Sequence, residues 1–174
     1  MKYELKTAYS ITDFIHHKEL KQKILNLIDE YEYSRENIDV PGEEKITRND
    51  WFDRWGHERN YWDLMREYII PHMDFVYSDL GVLEKDYTIT NVWYNHYKKG
   101  DYLNWHRHIS SNWASIYYLH LENENDATEI RSPYDGSIVK PIIKEGQILT
   151  FPSNMYHRSN VINQEKIIIA FNIY

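Results

Sequence analysis

Residues 100–121 read GDYLNWHRHISSNWASIYYLHL. Aromatic and β-branched residues in near alternation are strand sequence. Within the run, His106 and His108 stand two apart with an arginine between them. Side chains at i and i+2 of a strand share a face. Two imidazoles on one inward face make a poor core, because a buried polar group needs a partner. A metal ion is such a partner, so the pair reads as two candidate ligands.

A third histidine completes the pattern. His157 lies in GQILTFPSNMYHRSNVINQEKIIIAFN, residues 146–172, after a strand-like run and a proline. Two close ligands on one strand plus a distant third build a facial metal site. Such a site leaves positions open for a substrate and dioxygen. The other histidines, His16, His17, His57, His72, His96 and His120, read as surface or hydrogen-bonded residues. There are no cysteines, which excludes disulfides, thiolate zinc sites and cysteine nucleophiles. Any metal must be held by His, Asp, Glu or water.

The chain has 174 residues, which fits a single domain spanning 1–174, with 42% hydrophobic and 27% charged residues. The 16 tyrosines and 6 tryptophans favour strands. A formal charge of −7 argues against nucleic acid as a partner. The opening MKYELKTAYS has no apolar leader core, and no stretch is long enough to span a membrane, so a cytoplasmic protein is expected. The sequence says nothing about oligomeric state.

The order of elements divides the chain into a helical support, 1–85, and a β-rich core, 86–174. KTAYSI suits a short strand. Leu20, Ile24, Leu27, Ile28 and Tyr31 predict a helix over 17–31. SRENIDVPGEEKITRND reads as a loop, with Thr47-x-x-Asp50 resembling a capping box. Residues 58–81 are helical in pattern, with Pro71 expected to bend or restart the helix and Gly81 to end it. Seven strand-like runs follow, with Asp135-Gly136 as a hairpin turn between two of them. The class is mainly β with N-terminal helices, a sandwich, barrel or jelly roll. Tyr102, Trp105, Trp113 and Tyr117 suit a core, and equally the wall of a substrate pocket.

These motifs carry a resemblance. Tyr97-Lys-Lys-Gly100, Tyr102, His106-Arg-His108, Tyr118-Leu119, His157 and Lys166 follow the order of a known pattern, as do GQILTFPSNMYH and EKIIIAFN. From about Trp93 to Tyr174 the chain resembles the iron(II)- and 2-oxoglutarate-dependent oxygenases. The resemblance is to their prolyl-4-hydroxylase-like branch, of a type frequent in phages and marine bacteria. It implies a double-stranded β-helix, a cupin-like jelly roll. It implies Fe(II), 2-oxoglutarate as co-substrate and dioxygen, and hydroxylation of an amino-acid side chain or small molecule. His106, His108 and His157 would be the catalytic metal ligands. Lys166 would pair the distal carboxylate of 2-oxoglutarate, with Tyr97 hydrogen-bonded to the same group. Arg131 or Arg158 could hold a carboxylate instead.

His108 departs from the pattern, which has aspartate there. A carboxylate such as Glu129 or Asp101 could replace it as third ligand. The spacing Gly100…His106-x-His108 and Gly146…Pro152…His157 also resembles the two cupin motifs. That alternative is a three-histidine metal dioxygenase that does not use 2-oxoglutarate. Lys166, Tyr97-x-x-Gly100 and the closing Phe-Asn favour the first reading.

Overall fold

The computed structural model describes residues 8–53, 57–82 and 86–174. Two helices lie against a large antiparallel sheet. Helix α1, His17–Asp29, buries Leu20, Ile24 and Ile28, one turn apart on one face. Helix α2, Asn60–Asp79, buries Tyr61, Met65, Ile69, Met73 and Val76 at the same spacing. Pro71 lies inside α2, which runs through it as one element. After Leu80 the chain turns at Gly81, whose φ of 71° suits a residue without a Cβ. There Val82 N–H bonds the Tyr77 carbonyl, closing the helix end.

The strands are β1 (Ser10–Asp13), β2 (Arg35–Val40), β3 (Glu44–Asn49), β4 (Ile89–Tyr97), β5 (Tyr102–His106), β6 (Trp113–Leu121), β7 (Glu129–Arg131), β8 (Ile138–Val139), β9 (Gln147–Pro152), β10 (His157–Ser159) and β11 (Lys166–Ile173). Their order in the sheet is β1-β9-β6-β11-β4-β3-β5-β10-β7-β8, with β2 on the far side of β3. The sheet curls. One apolar cluster joins Ile46 of β3 and Ile130 of β7 to Tyr118, Phe151 and Ile168 from the other half, so the two halves face each other. A second cluster packs the helices on the outer face, against Tyr94, Tyr117, Ile169 and Phe171. Adjacent residues of β6 and β11 therefore serve opposite cores, and both strands are apolar almost throughout. Among the described residues no helix is long and apolar enough to cross a membrane.

The N-terminal half differs from the sequence reading. Residues 35–49 form a β-hairpin, where a loop was expected, and β1 spans Ser10–Asp13; Lys6 and Thr7 lie outside the described residues. The division at residue 85 therefore does not separate helices from strands, because β1, β2 and β3 belong to the same sheet. Strand β2 is almost wholly exposed and has no apolar face to betray it. Thr47 sits in β3 and caps no helix; its N–H and Oγ1 both donate to Asp101. The Asp135-Gly136 turn lies between β7 and β8 as expected, with Gly136 at φ 73°.

Asp50, just past β3, is a buried junction. Its carboxylate accepts from Tyr94 N–H at 2.8 Å, Tyr61 Oη at 2.6 Å and Arg59 Nε at 2.7 Å. It thus fixes the start of α2 against β4. Burial pushes its carboxyl up, while Tyr61, Arg59 and the Tyr94 amide work in the opposite direction. Removing one partner of a buried pair strands the others. Asp50→Ala is expected to lower stability by about 3–5 kcal/mol in urea unfolding. A loss below about 1 kcal/mol, the worth of an exposed pair, would show that this junction holds nothing together.

Candidate metal centre

Pairing of β5 with β10 sets His106 directly opposite His157. Their ring centroids are 4.2 Å apart. β5 ends at His106, and the chain continues past Arg107 to His108, whose N–H bonds the Ser153 carbonyl at 2.8 Å. That bond brings the third ring to 5.4 Å from His106 and 5.0 Å from His157. One nitrogen from each imidazole lies within 4.8 Å of the others.

The orientation of each ring has a cause. His106 Nδ1 lies 2.9 Å from the Asn104 carbonyl, and His157 Nδ1 lies 3.0 Å from the Met155 carbonyl. A carbonyl only accepts, so both Nδ1 atoms carry the proton. His108 Nδ1 is 2.7 Å from Asn172 Oδ1, which takes the same role. All three Nε2 lone pairs are left free. Burial lowers the pKa of all three rings, and their mutual proximity lowers His108 and His157 further. Neutral imidazoles with one nitrogen anchored and the other free are the form that binds a metal.

The carboxylates considered as replacements for His108 are engaged elsewhere. Asp101 Oδ2 accepts from Thr47 N–H, Thr47 Oγ1 and Lys98 N–H. Glu129 is bound by Arg158 Nε at 2.7 Å and Lys140 Nζ at 2.8 Å. Burial works to raise the Glu129 pKa, but these two cations lower it on balance. The arginines considered as carboxylate holders, Arg131 and Arg158, each lie 4.6 Å from the ring of Trp105. Trp105 neighbours His106 on β5 and so faces the other way. Among the described residues, none of the aromatics read as a possible pocket wall makes a ring contact with the trio: Tyr117 bonds His17, and Trp113 packs towards the helices. Trp93 does, with its ring 5.5 Å from His108 and Trp51 stacked edge-on behind it. Neither tryptophan carried a local signal in the sequence.

Lys166, the first residue of β11, is fully buried. Its ammonium donates to the Asp126 carbonyl and to Ser159 Oγ, both at 2.8 Å. It lies 4.8 Å from the ring centroid of Tyr97, its register partner on β4. Among the described residues no carboxylate oxygen lies within ion-pair distance of it; the Asp126 carboxylate is spent on Asn163 and the Gln164 N–H. Tyr97 is also buried, and its hydroxyl lacks a hydrogen bond of good geometry. Burial pushes the phenol up, with Ser159 acting against it. A buried cation and a buried hydroxyl side by side, both short of partners, suit an anionic ligand.

Burial pushes the Lys166 pKa down to about 7, with Asp126 opposing. In the unfolded chain it returns to the ordinary value near 10.5. Between these values the unfolded state holds the extra proton, so stability rises with pH across the window from about 7 to 10.5. Each pH unit of that window is worth about 1.4 kcal/mol. Lys166→Met is expected to be more stable than the ligand-free wild type at pH 6, the gap closing as pH rises towards 10. Urea unfolding at several pH values checks this. A difference that does not change with pH would mean that Lys166 titrates as an exposed lysine does.

No protein-family model matches the sequence, and no curated protein matches it. Solved structures do match in fold. A viral collagen prolyl hydroxylase from Paramecium bursaria Chlorella virus-1, in complex with 2OG, has a TM-score of 0.63 at 19% identity, over 95% of this chain and 94% of its own. A Trichoplax adhaerens prolyl hydroxylase, bound to a hypoxia inducible factor peptide fragment, has a TM-score of 0.69 at 16% identity, over 97% and 84%. A 2OG-Fe(II) oxygenase family oxidoreductase from Burkholderia pseudomallei has a TM-score of 0.67 at 12% identity, over 95% and 83%. At these identities the likeness is one of architecture: the chain has the fold of the prolyl hydroxylases and of a 2OG-Fe(II) oxygenase.

Proposed function

We propose that the protein is an iron(II)- and 2-oxoglutarate-dependent dioxygenase, built as one domain on a double-stranded β-helix. The observation that carries this is the pairing of two sites on one inner face. Three anchored imidazoles turn their Nε2 atoms to one point, and a buried ammonium, with no carboxylate at ion-pair distance among the described residues, lies beside Tyr97. His106, His108 and His157 hold the iron. Lys166 and Tyr97 take the distal carboxylate of 2-oxoglutarate, which supplies the missing counter-charge. When bound, iron and 2-oxoglutarate supply activation of dioxygen, decarboxylation of the co-substrate to succinate, and hydroxylation of an unactivated C–H bond.

The residues of the chain do the positioning. Asn104, Met155 and Asn172 fix the ring tautomers, so no proton has to leave when the metal arrives. Ser159 and the Asp126 carbonyl keep the ammonium aimed. Trp93 and Trp51 shield the His108 side from water. The substrate is a peptidyl side chain or a small molecule, in keeping with the peptide bound by the Trichoplax structure. The three-histidine set favours one competing reading, a dioxygenase that needs no 2-oxoglutarate. Lys166 has no role in that reading.

Purified protein is expected to bind one iron(II) per chain, and His106→Ala or His157→Ala to abolish tight binding. Lys166→Ala should weaken 2-oxoglutarate binding by about 2–5 kcal/mol while leaving iron affinity in place. Iron content by mass spectrometry and 2-oxoglutarate affinity by calorimetry give the two readouts. Unchanged iron in both histidine variants would sink the metal centre, and iron binding without any 2-oxoglutarate binding would leave the competing reading standing.

His108 is tested separately. His108→Asp provides a carboxylate on the same face and is expected to keep both iron and succinate formation. His108→Ala removes one ligand of three and should lose most of the iron. Iron fully retained in His108→Ala would remove this residue from the ligand set.

A further inference from the structure

Away from this centre, a second group of side chains repeats its logic. Past a bulge at Leu119 in β6, His120 pairs with Ile167 of β11, and His96 of β4 pairs with the same residue from the other side. Glu122 follows β6, and Glu165 precedes β11. One ligand atom each from His120, Glu122 and Glu165 lies within 4.8 Å of the others. All three are partly exposed, so an ion can reach them.

Each of the three spends one atom on the protein and turns the other to a shared point. His120 Nδ1 lies 3.1 Å from Glu145 Oε2 and 3.2 Å from Lys21 Nζ; in the tautomer that donates to Glu145, Nε2 is left for an ion. Glu122 Oε2 accepts from the Glu165 N–H at 2.9 Å, leaving Oε1. Glu165 Oε1 is held by His96 Nε2 at 2.6 Å, leaving Oε2. The free atoms do not bond one another: His120 Nε2 is 3.8 Å from Glu122 Oε1 and 3.9 Å from Glu165 Oε2. Those gaps are too long for hydrogen bonds. They are slightly wider than the roughly 3.4 Å between ligand atoms of a tetrahedral ion with bonds near 2.0–2.1 Å. Charge points the same way. Glu122, Glu145 and Glu165 converge here, with Lys21 Nζ 2.6 Å from Glu145 and 3.2 Å from His120 Nδ1, and His17 3.3 Å from Glu145.

We propose that His120, Glu122 and Glu165 form a second divalent-cation site, of the nitrogen- and oxygen-ligated zinc type, with Glu145 and His96 as its positioning residues. The bound ion would tie the end of β6 to the start of β11, one residue before Lys166. The site is separate from the His106–His108–His157 centre and stands whether or not that centre holds iron.

The test is zinc stoichiometry on the full chain. Chelator-stripped protein is loaded with zinc chloride, desalted and measured by mass spectrometry, with circular dichroism to check folding. Wild type is expected to hold two zinc ions. His120→Ala and Glu165→Gln should each hold one, the His106→Ala/His157→Ala variant one, and the combination with His120→Ala none. Glu145→Gln should weaken the second site about 10–100-fold in a calorimetric titration, as loss of an orienting partner does. A single zinc in the wild type that vanishes with His106 and His157 would overturn the inference. So would two zinc ions that both survive His120→Ala and Glu165→Gln.

Discussion

Strand β11 is the constraint on which both halves of the molecule depend. All eight of its residues are buried, between β6 on one side and β4 on the other. Ile167, Ile169, Phe171 and Ile173 pack under the helices. Strand alternation then obliges Lys166, Ile168, Ala170 and Asn172 to face the inner core. The two polar members of that set are the two that matter chemically. Lys166 carries the buried ammonium, and Asn172 holds the His108 ring. One strand thus fixes the distance between the buried Lys166 side chain and the His108 ring, and neither can move without unpacking the outer core.

Lys166 shows what this costs. An ammonium in an apolar interior loses its hydration, and two neutral hydrogen bonds replace only part of it. A methionine of similar volume would pack there without that penalty. The protein is therefore less stable than it would be with an apolar side chain at this position. Strain of this kind concentrates where a structure is built for a ligand. Asp50 marks the contrast. It is equally buried, but its three donors, one of them Arg59, leave it satisfied, and its role is to hold α2 on the sheet.

What the sequence made legible follows from the same physics. His106 and His157 are brought opposite each other by two paired strands, but β5 ends at His106, so His108 reaches them from beyond the strand, held by the Ser153 carbonyl, and period-2 alternation does not place it. Lys166 was readable because a lysine opening an apolar run invites a counter-charge. The β2–β3 hairpin was not, since an exposed edge strand such as Arg35–Val40 needs no apolar face and reads as loop. Nor was the bulge in β6. Pairing with β11 jumps from Tyr118 to His120 across adjacent Ile168 and Ile167, so Leu119 is an extra residue. That single insertion moves His120 from the inner face to the helix side, beside Glu145 and Lys21. Register of this kind is set by tertiary pairing and leaves no local mark. Trp93 and Trp51 carry no local mark either: only the fold brings Trp93 to His108 and Trp51 to Trp93.

The histidine at position 108 is accommodated by its partner. Asn172 presents an amide, with a carbonyl oxygen on one side and an NH2 on the other. Facing an imidazole, the oxygen accepts the Nδ1 proton and Nε2 is left for the metal. Facing a carboxylate, the same amide turned over would donate instead. Asn172 therefore supports either residue without a change in the strand that carries it. The choice alters charge more than shape: three imidazoles leave a divalent ion with one more positive charge than two imidazoles and a carboxylate would. Lys166 lies on the same inner face, in a chain whose formal charge is −7. If His106, His108 and His157 hold a metal and Lys166 a dianion, as proposed, the two binding events should reinforce each other more strongly than in a site with a carboxylate ligand.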